Sequence, residues 1–191
     1  MKSFIARAIT LAFAIAATSN ISAQSLKVDA EHSVVKWEGG KVVGGSHNGF
    51  IQITEGWLKL EDNQLHSGEI VIDMASMSNA DLDAGYGEKL VGHLMSDDFF
   101  GVGDHPTATL RIEESTPFVD GIAQVTATVT IKDVSERLSF EVSRKGNSFV
   151  SAVEIDRSKF NVRYGSGSFF DNLGDDMIKD VFTLEVNLEI I

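Results

Sequence analysis

The stretch "VTATVTIKDVSERLSFEV", residues 125–142, decides the fold of this chain. Apolar side chains alternate with other residues on both sides of a short turn at Lys132-Asp133-Val134, at 125, 127, 129 and 131 before it and at 138, 140 and 142 after it. Successive side chains of a β-strand point to opposite faces, so this alternation predicts two strands that each bury one face. Strands joined by so short a turn pair as an antiparallel hairpin.

The same period of two recurs along most of the chain from His32 onward and indicates about eight strands. Eight antiparallel strands with one apolar face can close into an up-and-down barrel or fold into a sandwich. Closure would remove the sheet edges that invite aggregation. Outside residues 125–142, the apolar residues that recur with this period are Val35, Trp37, Ile51, Ile53, Ile70, Ile72, Met74, Ala108, Leu110, Ile112, Phe149, Val153, Ile155, Phe182, Leu184, Val186, Leu188 and Ile190.

One connection, from about Ala75 to His105, is far longer than a hairpin loop. Apolar residues recur in it at helical spacing, which predicts a short helix near Tyr86 to Met95. Two adjacent aromatics, Phe99-Phe100, follow this helix. They would either cover the mouth of a hollow barrel beside a ligand or anchor the helix on a solid core, and the spacing does not choose between the two.

Residues 1–23 have the form of a secretory signal peptide. Lys2 and Arg7 precede an apolar run from about Ala8 to Ala17, and small residues end at Ala23. The apolar run is about half the roughly 20 residues needed to span a bilayer. We therefore expect cleavage, a periplasmic or secreted protein that is not integral to the membrane, and a single domain over residues 24–191.

Composition excludes several classes of protein and of site. The chain has no cysteine, which rules out a disulfide scaffold, a thiol nucleophile and a thiolate metal site. Its formal net charge of −12 repels nucleic acid and anionic surfaces. We expect no nucleic-acid partner and a monomer or homodimer.

No constellation of residues in the sequence indicates catalysis. The five histidines fall in no paired ligand spacing such as HExxH, so a metal site is not expected. The segment from Asp81 begins like a calcium loop but has Gly85 and Gly92 where ligands belong. The carboxylate pairs Asp97-Asp98 and Asp175-Asp176 read as solvated loop residues. We therefore expect a protein that is not an enzyme and has no cofactor.

Aromatic and apolar side chains are the more informative candidates for a site. They are either ordinary core residues or the lining of an apolar cavity and its mouth. The candidate lining residues are Trp37, Phe50, Ile72, Phe99, Phe100, Leu110, Phe140, Ile155, Phe160 and Phe169.

Five segments resemble the YceI-like family in the order in which that family has them. "HLMSDDFFGVGDHPTATL", from His93, resembles its HL-S-DFF signature, and residues 125–142 resemble its central hairpin. "IDRSKFNVRYGSG", residues 155–167, resembles a further motif, while "DAEHSVVKW" and "IKDVFTLEVNLEI" resemble its first and last strands. The chain departs from the family at Asp133 and Asn161, where glycine is frequent.

The resemblance implies an all-β fold, an eight-stranded antiparallel lipocalin-like barrel with a short helix in the long connection. It also implies an apolar tunnel that holds an amphiphilic isoprenoid lipid, either an isoprenoid quinone or a polyprenyl chain. The alternative is a ligand-free envelope stress or protein-interaction barrel with a solid core.

Overall fold

The structure, a computed structural model, describes residues 24–191, which form a closed barrel of eight antiparallel strands. Each strand is hydrogen-bonded to the next, and the last pairs with the first, so the predicted barrel is confirmed. The predicted signal peptide lies outside the described residues. Among the described residues, no helix combines the length and the apolar composition needed to cross a membrane. The strands are β1 (Gln24–Gly40), β2 (Ser46–Glu61), β3 (Gln64–Asp73), β4 (Thr107–Ser115), β5 (Ile122–Ile131), β6 (Val134–Lys145), β7 (Ser148–Asp156) and β8 (Val181–Ile190).

The β5–β6 hairpin has the register that its alternation predicts, from Ile122 opposite Ser143 to Ile131 opposite Val134. Lys132 and Asp133 have φ values of 49° and 60°. Two left-handed residues form the turn whose twist matches that of the flanking strands. Asp133 therefore fills a turn position that glycine would fill more easily, since the short polar side chain of aspartate tolerates this conformation.

The ladder between β6 and β7 is much shorter than its neighbours. Only three pairs, from Ser143–Val150 to Lys145–Ser148, join these strands. Beyond them the Ser151 hydroxyl donates to the Glu141 carbonyl at 2.6 Å. We call this interruption of the wall, between Val134–Val142 and Ser151–Asp156, the β6–β7 seam.

One end of the barrel, with the β2–β3, β4–β5 and β6–β7 connections, is closed by apolar side chains. Leu58 and Leu65 are almost fully buried there, and Phe118 meets Phe149 edge to face at 6.0 Å. Leu58, Leu65 and Phe149 face the barrel interior, so this closed end forms its floor.

The opposite end carries the β1–β2 turn (41–45), the long connection (74–106) and the β7–β8 connection (157–180). We call it the open end. The predicted helix is present as α1 (Ala84–Met95). Lys132 Nζ donates to the Phe99 carbonyl at 2.8 Å and fastens the long connection to the β5–β6 turn. His105 Nδ1 lies 3.0 Å from Asp133 Oδ2 of the same turn but makes no hydrogen bond with it.

The long connection also runs beside the start of β2. The backbone N–H of Ser78 donates to the Phe50 carbonyl at 2.9 Å, and Trp37 Nε1 donates to the Ser78 carbonyl at 3.0 Å. A Cβ atom at Gly49 would lie 1.8 Å from the Ser78 oxygen, so only glycine permits this approach.

Candidate ligand-binding cavity

The barrel encloses a cavity of about 520 Å³ that all eight strands line. The side chains in its wall are mainly Val, Ile, Leu and Phe, which follows from the inward phase of the period-two pattern. A volume of this size lies within the range of about 300–1,000 Å³ typical of small-molecule sites. The interior of the barrel is therefore hollow, from the open end down to Leu58 and Leu65 at the closed end.

Polar lining residues collect at the open end. Lys41 belongs to the β1–β2 turn, His47 to the start of β2, His93 to α1, and Tyr164 and Lys179 to the β7–β8 connection. Because Lys41, Tyr164 and Lys179 are also exposed, this is where the cavity meets solvent. The site is thus amphiphilic, with an apolar interior and a polar mouth.

Phe99 and Phe100 line the cavity and also anchor the long connection. Both are buried, and their rings meet edge to face at 5.0 Å. Phe100 also packs against Phe182 of β8 with 6.2 Å between ring centroids. The same pair of residues therefore both borders the cavity and anchors the long connection, the two functions between which the sequence did not choose.

His93 places a polar group among these aromatics. Its ring meets Tyr164 edge to face at 4.4 Å and Phe99 at 5.9 Å. Its Nε2 atom is buried, and no hydrogen-bond partner contacts it within residues 24–191. An unpaired buried polar atom costs roughly 1–3 kcal/mol, so this ring is held there by packing.

Arg157, at the end of β7, is 2% exposed and borders the cavity. Its guanidinium donates to four backbone carbonyls, those of Val162, Tyr164, Ile178 and Lys179, at 2.9–3.2 Å. These carbonyls come from the two ends of the β7–β8 connection, so one side chain ties the connection into a fixed loop.

Two further contacts complete the environment of Arg157. Its guanidinium lies over the Phe99 ring at 5.2 Å, and Nη2 lies 3.4 Å from Asp180 Oδ1. Burial lowers the pKa of Arg157, and the nearby Asp180 and Asp156 oppose that shift. Arginine keeps its charge under such conditions, so Arg157 is a buried cation balanced by carbonyl dipoles and one carboxylate.

Asp180 is the partner whose ionisation depends on this arrangement. Burial acts to raise its pKa, but hydrogen bonds from Ser166 and Ser168 and the charge of Arg157 outweigh burial and lower the pKa below 3.8. The Ser168 hydroxyl donates to Asp180 Oδ2 at 2.6 Å.

We expect Asp180→Asn to lower the free energy of unfolding by about 2 kcal/mol at pH 7, because it removes a charged hydrogen-bond acceptor. A carboxyl whose pKa is lowered by folding stabilises the fold above its unfolded pKa, and the effect disappears as pH falls through the folded pKa. The difference between the variant and the unmodified protein should therefore shrink below about pH 4. Urea unfolding at pH 7, 5 and 3 measures it, with Asp171→Asn, an exposed carboxylate of the same connection, as the control. A difference that stays constant across this range would contradict the expectation.

Seven of the ten predicted site residues line the cavity, and three do not. Those that line it are Trp37, Ile72, Phe99, Phe100, Leu110, Phe140 and Ile155. The prediction is wrong for Phe50, which is 44% exposed on the outside of β2. Its neighbour Ile51 faces the cavity, and adjacent strand residues point to opposite faces.

Phe160 and Phe169 are the other two residues for which the predicted lining is wrong. Phe160 is buried in a short 3₁₀ turn (Arg157–Phe160) that packs near β6, outside the cavity wall. Phe169 is 39% exposed, with the Arg163 guanidinium 4.9 Å from its ring centroid. Both lie in the β7–β8 connection, where no strand period fixes the direction of a side chain.

The sequence reasoning missed the polar residues of the mouth. Lys41, His93, Tyr164 and Lys179 come from three separate connections, so no local spacing groups them. The one available signal was the glycine-rich turn before β2, since Gly39, Gly40 and Gly45 also border the cavity. Within residues 24–191, no group of three or more His, Asp or Glu side chains is placed to hold a metal ion.

A closed eight-stranded antiparallel barrel with an apolar interior cavity that opens at one end is a lipocalin-like barrel. The model of the YceI-like domain matches residues 26–190 of the chain. The protein belongs to the YceI-like family.

Solved structures with the same fold have low sequence identity to this chain. BcnA of Burkholderia cenocepacia is 23% identical, with a TM-score of 0.67 over 84% of this chain and 98% of its own. A polyisoprenoid-binding domain from Saccharophagus degradans, implicated in plant cell wall breakdown, is 14% identical, with a TM-score of 0.58 over 87% and 98%. The YceI protein of Campylobacter jejuni is 15% identical, with a TM-score of 0.53 over 100% and 99%. A search of curated protein sequences found no match.

Proposed function

We propose that the protein binds an isoprenoid-type lipid, an isoprenoid quinone or a polyprenyl chain, in the barrel cavity without catalysing a reaction. The observation that carries the proposal is the apolar cavity of about 520 Å³ with one polar mouth. Its shape and polarity match an amphiphile whose chain lies inside and whose head group lies at the open end. The structural similarity to a polyisoprenoid-binding domain supports the same class of ligand.

The binding energy would come from burial of the chain. Transfer of apolar surface out of water contributes roughly 25 cal/mol per Å², so a few isoprene units offset the entropy lost on binding. The wall offers Val, Ile, Leu and Phe side chains with few polar groups. Such a lining selects for an apolar chain of suitable width and discriminates weakly between similar chains.

The polar mouth would hold the head group. Lys179 and Tyr164 border the opening and are exposed, whereas Lys41 pairs with Asp176 at 2.7 Å. A head group with hydrogen-bond acceptors fits these donors. The predicted signal peptide, if cleaved, would deliver the protein to the periplasm or the outside of the cell, which is compatible with this role.

The test is native mass spectrometry of the mature protein purified from its own envelope without detergent, paired with solvent extraction. We expect a bound species whose mass matches a prenyl quinone or a polyprenyl phosphate. The protein delipidated by solvent and refolded serves as the control and should regain the same mass shift when incubated with the extracted lipid. A protein that stays free of ligand after incubation with both lipid classes would instead support the ligand-free, protein-interacting barrel.

A further inference from the structure

Exposed apolar side chains project from the open end of the barrel. Val42 and Val43, in the β1–β2 turn, are 52% and 57% exposed. Phe169 and Phe170, in the β7–β8 connection, are 39% and 50% exposed. Grouped exposed apolar side chains of this size often mark a site of contact with a protein or a membrane. We call these four residues the apolar rim.

The two loops that carry the apolar rim are joined to each other. The Val42 N–H donates to the Met177 carbonyl at 2.8 Å, and the Lys179 N–H donates to the Gly40 carbonyl at 2.9 Å. Phe169 and Phe170 are attached to this junction through Ser166, because both of their N–H groups donate to the Ser166 carbonyl. Ser166 in turn bridges to Ile178, as Lys41 does. Backbone hydrogen bonds therefore hold the two loops of the rim side by side.

This surface borders the mouth of the cavity. Gly40 at the end of β1, Lys41 of the first loop, and Tyr164, Ile178 and Lys179 of the second loop line the cavity here. A molecule that leaves the cavity by this mouth passes between the two loops.

The charge of the rim loops differs from that of the rest of the protein. Residues 41–45 and 157–180 together contain five basic and four acidic side chains, whereas the whole chain has a formal net charge of −12. Several of these charges are paired, as in Lys41–Asp176 and Arg157–Asp180. The two rim loops are thus nearly neutral, which suits contact with zwitterionic head groups. The long connection at the same end is acidic, with six acidic side chains and one basic side chain in residues 74–106.

We propose that the apolar rim docks on a lipid bilayer, so that cargo passes between the membrane and the cavity without crossing water. The proposal rests on the proposed lipid-binding function. Valine and phenylalanine side chains gain free energy at the boundary between head groups and acyl chains. Docking there would place the mouth against the membrane, and the exposed part of a prenyl chain would remain covered throughout its transfer.

Transfer kinetics test the proposal. The protein is loaded with a fluorescent prenyl quinone and mixed with increasing amounts of phosphatidylcholine vesicles. For the unmodified protein we expect the transfer rate to rise with vesicle concentration, because transfer requires a collision. The variant V42S/V43S/F169S/F170S should transfer about tenfold more slowly, which corresponds to about 1.4 kcal/mol of lost docking energy.

The matched control is V119S/I122S, since Val119 and Ile122 are exposed apolar residues of the closed end, 67% and 45% exposed. This control should transfer at the unmodified rate. Circular dichroism and equilibrium affinity for the quinone establish that each variant folds and binds. If the fourfold variant does not fold, V42S/V43S, confined to an exposed turn, replaces it.

Sedimentation of the ligand-free protein with the same vesicles separates the two proposals. Rim-dependent sedimentation with no quinone binding would overturn the proposed function and leave docking intact. Quinone binding with a transfer rate independent of vesicle concentration, or equal in rim and control variants, would overturn docking and leave lipid binding intact. In that case a protein partner would be the remaining occupant of the rim.

Discussion

Arg157→Met is expected to lower the free energy of unfolding by about 3–5 kcal/mol, the cost of breaking a buried charge network. Methionine keeps most of the side-chain volume but donates no hydrogen bond. Four backbone carbonyls at the two ends of the β7–β8 connection would lose their donor. Asp180 would lose the cation beside it. Urea unfolding followed by circular dichroism measures the change.

Arg163→Met is the control for this experiment. Arg163 lies in the same connection but is exposed, and its hydrogen bond goes to the Asn161 side chain two residues away. Its replacement should change stability by no more than about 0.5 kcal/mol. If Arg157→Met cost as little as Arg163→Met, the guanidinium would not be what holds the connection in place.

Phe140→Asp is expected to weaken binding of a prenyl quinone more than 100-fold, which is about 2.7 kcal/mol. Phe140 lines the cavity from β6. In the empty barrel, water that enters through the open end can hydrate a carboxylate at this position. A prenyl chain would displace that water and leave the charge in an apolar environment, which costs several kcal/mol. Fluorescence titration with the quinone measures the affinity.

The neighbouring exchange Ser139→Asp serves as the matched control. Ser139 is exposed on the outer face of the same strand, so the added charge stays in water and the affinity should remain within about twofold. Circular dichroism and thermal melting show whether each variant keeps the barrel. A folded Phe140→Asp protein with unchanged affinity would mean that the lipid does not occupy this part of the interior.

The strands and their closure could be predicted because each strand repeats one signal, the alternation of apolar and polar residues. Ile51 and Ile155 point inward for that reason alone. The same rule would have placed Phe50 outside, because it precedes an inward residue. The error at Phe50 came from weighing the size of an aromatic side chain above its position in the period.

Other features depend on contacts between distant segments and could not be read from local sequence. The burial of Arg157 depends on carbonyls that come from both ends of a long connection. Phe160 and Phe169 lie in that connection, where no period applies. The hollow interior depends on how side chains from all eight strands fill a common volume, and alternation says only that they face inward.

The β6–β7 seam is the part of the barrel wall with the fewest hydrogen bonds between neighbouring strands. Separating β5 from β6 would break a continuous ladder along the whole hairpin, whereas the seam is bridged by the single hydrogen bond from Ser151 to Glu141. The wall is therefore held by fewer hydrogen bonds along this line than along the β5–β6 hairpin. Phe140, Val142 and Val153 line the interior on the two sides of the seam, so a chain in the cavity would lie against the least hydrogen-bonded part of the wall.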